Sequence, residues 1–187
     1  ERILSESDLE EEMVALFRDT PGLVLLQASA MNIDRLVTVF RACLKANRQF
    51  IIDLYAAAVL RAAGNDRLPQ GEWEGVRVFL PRFQKYAVIR AEAFALSESF
   101  RGSRIYPETL AREAGRSVIL FRPSMMEDLE EAECLDGAHL VYSLWKGYLE
   151  KEEQRPYQEW LARRGVPLIH CHTSGHADVS DLERLCR

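Results

Sequence analysis

The chain has 187 residues, of which 48% are apolar, and a formal net charge of −5. This apolar share is enough for one ordinary hydrophobic core. No run of about 18 apolar residues occurs, and the acidic start lacks the basic and apolar regions of a signal peptide, so we expect a cytoplasmic protein with no membrane partner. The negative charge disfavours a broad basic surface for nucleic acid, although a local groove of Arg and Lys is compatible with it.

Two further features concern the thiols and the chain ends. None of the cysteines forms a CxxC pair, so we predict free thiols rather than a structural zinc site or a redox centre. The chain begins with Glu1 rather than Met and ends at Arg187 inside a predicted helix, so we expect it to be part of a longer protein. The four cysteines are Cys43, Cys134, Cys171 and Cys186.

The first third of the chain alternates helical and strand patterns. Ser5 and Asp8 predict an N-cap, and the helix that follows ends near Thr20. The continuous apolar run Leu23–Leu26 predicts a buried strand, and apolar residues then recur at helical spacing from Ile33 to Leu44. A second strand is predicted at Phe50–Leu54, followed by a helix at Tyr55–Ala63. This alternation predicts an α/β fold with a mostly parallel, Rossmann-like sheet flanked by helices and connected by right-handed crossovers.

The same alternation continues to the end of the chain. After a polar loop at residues 64–75, the patterns predict further strands at Val76–Leu80, Val118–Phe121, His139–Ser143 and Pro167–Cys171. The predicted helices are Tyr86–Phe100, Met125–Cys134 and Glu150–Arg164, with a short helical segment at Thr109–Ala114. A turn at Ser174–Gly175 leads into a last helix from Val179.

In an open parallel sheet, ligands bind beyond the carboxyl ends of the strands. After the first strand, Ser29 or Asn32 is expected to cap the next helix, whose free amides are suited to an anion; a plain N-cap is the alternative. After the second strand, Asp53 and Tyr55 are candidates for the same crevice, although acidic residues at strand ends are common.

Side chains that can bind a metal or transfer a proton are densest in one segment near the end of the chain. This segment is His170-Cys171-His172-Thr173-Ser174-Gly175-His176-Ala177-Asp178. Its imidazoles and carboxylate suit metal binding or proton transfer. His170 and His172 share one face if the strand continues, which fits either a metal site or ordinary hydrogen bonding. His176 lies in a glycine turn, where functional side chains are often presented.

Four segments resemble a known family. Ser174-Gly175-His176-Ala177-Asp178 resembles the SGHA motif of ribonuclease J-like and archaeal β-CASP nucleases, whose histidine is called motif B. Ser5-Glu6 resembles their motif A region, and Ser29-Ala30-Met31-Asn32-Ile33-Asp34-Arg35 resembles their serine loop. Tyr142-Ser143-Leu144-Trp145-Lys146-Gly147-Tyr148 is similar to a segment of bacterial and archaeal members. The order and spacing agree over essentially the whole chain.

The resemblance implies part of a zinc-dependent nuclease of the metallo-β-lactamase superfamily that hydrolyses RNA phosphodiester bonds. Residues 1–165 would form the β-CASP domain, and residues 166–187 would begin the return into the metallo-β-lactamase domain. Glu6 would orient His176, which protonates the leaving oxygen. The implied RNA-binding residues are Ser29, Asn32, Ser174 and Gly175.

The family's HxHxDH zinc motif and its other metal ligands are absent from the sequence. We therefore expect zinc in the complete enzyme, no catalytic zinc in this chain, and no activity of the chain alone. Its partners would be RNA and the metallo-β-lactamase domain of the same protein.

Two other interpretations stay open. A free-standing Rossmann-like binding domain fits the composition, although no GxGxxG or GxxxxGK[ST] fingerprint occurs. A DNA-processing β-CASP nuclease acting on single-stranded DNA is the second. The exonuclease or endonuclease mode is open, as is formation of a homodimer.

Overall fold

The computed structural model describes residues 5–173. The predicted turn at Ser174–Gly175 and the helix from Val179 lie outside the described residues. The strands are β1 (Val24–Gln27), β2 (Gln49–Asp53), β3 (Val76–Phe79), β4 (Arg104–Ile105), β5 (Ser117–Leu120), β6 (His139–Tyr142) and β7 (Leu168–His170). The helices are α1 (Glu6–Asp19), α2 (Ile33–Lys45), α3 (Leu54–Ala62), α4 (Arg82–Arg90), α5 (Phe94–Glu98), α6 (Pro107–Arg112), α7 (Met126–Glu131) and α8 (Arg155–Arg163).

The strands form one parallel sheet with the order β4-β3-β2-β5-β1-β6-β7. In the centre, Leu25 of β1 pairs with Ile119 of β5 on one side and with Leu140 of β6 on the other. The predicted α/β class with a mostly parallel sheet is confirmed. The central strands are apolar except at their ends, because helices cover both of their faces.

Two apolar clusters fill the space between the sheet and the helices. Val24 and Leu26 point into one cluster with side chains of α1, α2 and α3. Leu23 and Leu25 point into the other with side chains of α6, α7 and α8. All four side chains are fully buried. Alternation along a single strand therefore supplies both halves of the core.

The connections between strands leave the sheet in opposite directions. β1 leads through α2 toward the β4 side, and β6 leads through α8 toward the β7 side. In the same way β2 leads through α3 to β3, whereas β5 leads through α7 to β6. Where neighbouring connections diverge, a crevice opens at the carboxyl ends of the strands. The order of strands places one crevice at β1 and β6 and a second at β2 and β5.

Two of the predicted helices are wrong in detail, and one strand was missed. The single helix predicted at Tyr86–Phe100 is two helices, because Glu92 between them adopts a left-handed backbone with φ of 51°. The helix predicted at Glu150–Arg164 begins only at Arg155, after two short 3-10 turns, with Pro156 in its first turn. Strand β4 was not predicted, since two residues carry no periodicity.

Within residues 5–173, no helix is both long enough and apolar enough to cross a membrane.

Candidate active site at the carboxyl edge of the sheet

The N-terminus of α1 is fixed by a reciprocal cap. The Ser5 hydroxyl accepts a hydrogen bond from the Asp8 amide at 3.1 Å, and the Asp8 carboxylate accepts one from the Ser5 amide at 2.9 Å. This capping box confirms the N-cap predicted at Ser5. Glu6 is consequently the first residue of the helix and lies beside α2.

Arg35, in the first turn of α2, joins three parts of the chain at the β1–β6 crevice. Its Nη2 donates to Glu6 Oε1 at 2.9 Å and to the Thr173 carbonyl at 3.3 Å. Its Nη1 donates to Ser143 Oγ at 2.5 Å and to His172 Nδ1 at 3.3 Å. Only 2% of the Arg35 side chain is exposed. We call Glu6, Arg35, Ser143, His172 and Thr173 the Arg35 cluster.

Both oxygens of the Glu6 carboxyl are bound, since Oε2 accepts from the Thr38 hydroxyl at 2.9 Å. Partial burial raises the pKa of Glu6, but the hydrogen bonds from Arg35 and Thr38 and the charge of Arg35 outweigh it, so the pKa lies below its ordinary value. Glu6 is therefore a carboxylate at neutral pH.

His172 is held as a neutral ring. A guanidinium only donates, so Nδ1 of His172 accepts from Arg35 and the neutral ring carries its hydrogen on Nε2. Burial and the neighbouring Arg35 charge lower the pKa of His172. The ring centroid of His170 lies 6.0 Å away, and its Nε2 lies 3.1 Å from the Leu144 carbonyl oxygen.

The loop after β1 carries the predicted RNA-binding residues to this edge. Asn32 Oδ1 accepts from the Arg35 amide at 3.1 Å and caps α2, as predicted. Ser29 Oγ accepts from the Met31 amide at 3.2 Å. Ser29 and Asn32 are both exposed. The Ser29 hydroxyl hydrogen and the Asn32 side-chain NH2 are thus presented to solvent as donors.

Exposed aromatic rings follow β6 at the same end of the sheet. The side chains of Trp145 and Tyr148 are 62% and 45% exposed, and their rings meet edge to face with centroids 5.4 Å apart. Bases of single-stranded nucleic acid stack on such rings.

The Arg35 cluster does not have the chemistry of a zinc site. The Arg35 cation contacts the Glu6 carboxylate and His172 Nδ1, the two groups that would otherwise ligate a metal, and would repel Zn²⁺. No group of three or more His, Cys, Asp or Glu side chains suited to a metal ion occurs in residues 5–173.

The structure brings Glu6, Ser29 and Asn32 to one edge of the sheet. His176, Ser174 and Gly175 lie outside the described residues. Sequence reasoning did not single out Arg35, Thr38 or Ser143. One signal was present, because a positive charge in the first turn of a helix opposes the helix dipole, which indicates a compensating partner such as Glu6.

No protein-family model matches the chain, and no curated protein matches it either.

Proposed function

We propose that this chain is the RNA-clamping, β-CASP-like part of a zinc-dependent nuclease that hydrolyses RNA phosphodiester bonds. The observation that supports it is the convergence of three of the four segments that resemble the family. Glu6, Arg35 and Ser143 come from these three, and Thr173 directly precedes the fourth. They share one hydrogen-bonded cluster although Glu6 and Thr173 are 167 positions apart in the sequence. The order of β1, β6 and β7 alone brings the segments that follow these strands to one edge of the sheet, whereas the contact of Glu6 on α1 with Arg35 is not required by this fold.

In this proposal Glu6 orients the imidazole of His176, which protonates the leaving oxygen. Each carboxylate oxygen has a second lone pair, and 43% of the Glu6 side chain is exposed, so Glu6 can accept a further hydrogen bond. Three residues, which span at most roughly 11 Å, lead from Thr173 to His176. A carboxylate partner raises the pKa of an imidazole and keeps it protonated near neutral pH, as a general acid requires.

Arg35 is a positioning residue in this mechanism. It is too deeply buried to contact a phosphate, but it holds Glu6 ionised and fixes the carboxylate against α2. The exposed donors of Ser29 and Asn32 would bind the RNA backbone, and such contacts carry affinity without sequence specificity. Zinc in such enzymes lowers the pKa of a bound water; its ligands belong to the rest of the enzyme in this proposal.

The acid role is tested in the complete enzyme with its zinc domain. His176→Ala should lower turnover by about 10²- to 10⁴-fold without changing the zinc content. Glu6→Gln should cause a smaller loss and lower the pKa of the acid on the alkaline limb of the pH profile, because an amide does not stabilise imidazolium. His139→Gln is the matched control, since His139 lies at the start of β6, at the opposite edge of the sheet, near Thr20.

Full activity of His176→Ala, or a loss of activity that follows a loss of zinc, would overturn the acid role. So would an equal loss in His139→Gln.

The clamp is tested by RNA affinity. Ser29→Ala combined with Asn32→Ser removes two donors but keeps a side-chain oxygen that can cap α2. The affinity for single-stranded RNA, measured at several salt concentrations, should fall about tenfold. Unchanged affinity at every salt concentration would show that Ser29 and Asn32 do not bind RNA and that the loop only caps α2.

A further inference from the structure

The second crevice, at β2 and β5, contains a pocket of about 510 Å³ that the proposed nuclease mechanism does not use. Its walls come from α3, α4, α5 and the segment after β5, and they are almost entirely apolar, with Leu54, Ala58, Ala87 and Val88 among them. This volume and lining are typical of sites for small organic ligands, and the carboxyl edge of a parallel sheet is where such sites form.

The polar part of the pocket is built on Asp53, which is fully buried. One Asp53 oxygen accepts from the Ala56 amide at 2.7 Å and caps α3. The other accepts from Gln84 Nε2 at 2.9 Å and from Nε of Arg122, its ion-pair partner. Because Asp53 balances the charge of Arg122, the pocket favours a neutral ligand over a phosphate or carboxylate.

Two buried polar atoms of the lining side chains have no partner within the described residues: Gln84 Oε1, an acceptor, and Arg122 Nη2, a donor. The Gln84 side chain is 7% exposed. Since both side chains bond to the same Asp53 oxygen, the two atoms belong to adjacent groups. Both atoms are covered by neighbouring protein atoms, so a ligand that carries an N–H donor beside an acceptor complements this pair once the Gln84 and Arg122 side chains turn toward the cavity.

The rim of the pocket carries exposed planar side chains. The side chains of Tyr55 and Phe83 are 48% and 40% exposed, although both are aromatic. The guanidinium carbon of Arg122 lies 5.2 Å from the centroid of the Tyr55 ring. Planar heterocycles stack on aromatic rings and on guanidinium planes.

From these observations we propose that the pocket binds a nucleobase, with its ring against Tyr55 and its donor–acceptor edge toward Gln84 and Arg122. Every nucleobase carries a donor and an acceptor side by side on its Watson–Crick edge. The base comes either from a single-stranded RNA, in which case the inference rests on the proposed function, or from a free nucleoside, in which case it does not.

The test uses the 187-residue chain with two probes, free uridine by isothermal titration and a labelled oligouridylate by fluorescence anisotropy. Ala87→Trp places an indole in the pocket from an exposed helix position. It should weaken binding of the probe that occupies the pocket at least tenfold. Ile89→Trp is the matched control, because Ile89 is 58% exposed on the same helix but does not line the pocket; it should leave binding within twofold of the wild type.

Uridine and N3-methyluridine separate hydrogen bonding from stacking. Methylation removes the N–H that would bond to Gln84 Oε1, so affinity should fall about tenfold for the methylated nucleoside, and Tyr55→Ala should weaken binding of both. Binding of the oligouridylate with competition by uridine identifies a base within a strand, and binding of uridine alone identifies a free nucleoside.

Failure of both probes to bind the wild-type chain would overturn the inference. So would equal losses in Ala87→Trp and Ile89→Trp, equal affinity for uridine and N3-methyluridine, or a self-association seen by sedimentation that Ala87→Trp abolishes. An active His176→Ala enzyme would overturn the nuclease mechanism alone and leave a uridine-binding pocket intact.

Discussion

Removing the charge of Glu6 tests the Arg35 cluster most directly. Glu6→Gln keeps the side-chain size and leaves Arg35 with no carboxylate partner in the cluster. Arg35 is 2% exposed and cannot recover that partner from water, whereas the Glu6 side chain is 43% exposed. Exposed ion pairs contribute about 0–1 kcal/mol, and loss of one partner of a fully buried pair costs about 3–5 kcal/mol. We expect the free energy of unfolding to fall by about 2 kcal/mol, between these limits.

The assay is urea denaturation at pH 7.5, followed by circular dichroism. Glu10→Gln is the matched control, because it removes a carboxylate from the same helix. Glu10 pairs with Lys45 at 2.6 Å, but the Lys45 side chain is 58% exposed and regains water when its partner is lost. This control should lose less than about 1 kcal/mol.

The difference in the free energy of unfolding between the wild type and Glu6→Gln should depend on pH. Because the folded-state pKa of Glu6 lies below the ordinary value of 4.5, its carboxylate stabilises the fold fully above about pH 4.5, and this contribution is lost as the pH falls through the folded-state pKa. The lowered pKa of His172 also makes the fold less stable as the pH falls below about 6.5 in both proteins, and more so in Glu6→Gln while Glu6 is ionised in the wild type, because the Glu6 charge raises the pKa of His172. Two results would refute this reasoning. The first is a loss of unfolding free energy in Glu6→Gln at pH 7.5 that is no larger than the loss in Glu10→Gln, and the second is a loss in Glu6→Gln that is as large at pH 3 as at pH 7.5.

Three further predictions follow from single contacts. Ser5→Ala removes the capping box of α1 and should lower the free energy of unfolding by about 1 kcal/mol in the same urea assay. Asp53→Asn keeps an oxygen to cap α3 but leaves Arg122 without its buried counter-charge, so the cost should be about 2–4 kcal/mol; a loss below 1 kcal/mol would contradict it. Burial raises the pKa of the thiols of Cys43 and Cys134, that of Cys134 to about 11, so both should react with iodoacetamide only after unfolding, as peptide mapping by mass spectrometry would show.

The sheet was largely predictable because its central strands are buried on both faces, and continuous apolar runs such as Leu23–Leu26 have few alternatives in water. Six of the seven described strands lie within one or two residues of the predicted ones, including β3, which Arg77 interrupts, and β7, which is partly exposed. The break at Glu92 was not predictable, because neither Gly nor Pro marks it; α4 ends in a local cap in which the Ala93 amide donates to the Val88 carbonyl and Glu92 takes the left-handed position.

The candidate site was predictable only in part. Glu6, Ser29 and Asn32 were predicted as site residues from local patterns and from the family resemblance, because helix caps and motifs can be recognised within short stretches of sequence. The role of Arg35 was not, because its partners lie on other elements and only the strand order brings them together. The same holds for Arg122, which meets Asp53 across 69 positions of sequence.

The partners of Arg35 also have a consequence for the order in which the chain folds. The contacts with Ser143, His172 and Thr173 close loops of 108, 137 and 138 residues. The contacts with His172 and Thr173 span more of the chain than the 115 positions between Leu25 and Leu140 of the central β1–β6 pair, and such separation is costly in chain entropy, so these two contacts form after the local helices and the central strands. Loss of these contacts should therefore leave the refolding rate almost unchanged and accelerate unfolding, so the Arg35 cluster governs how long the native molecule persists more than how quickly it forms.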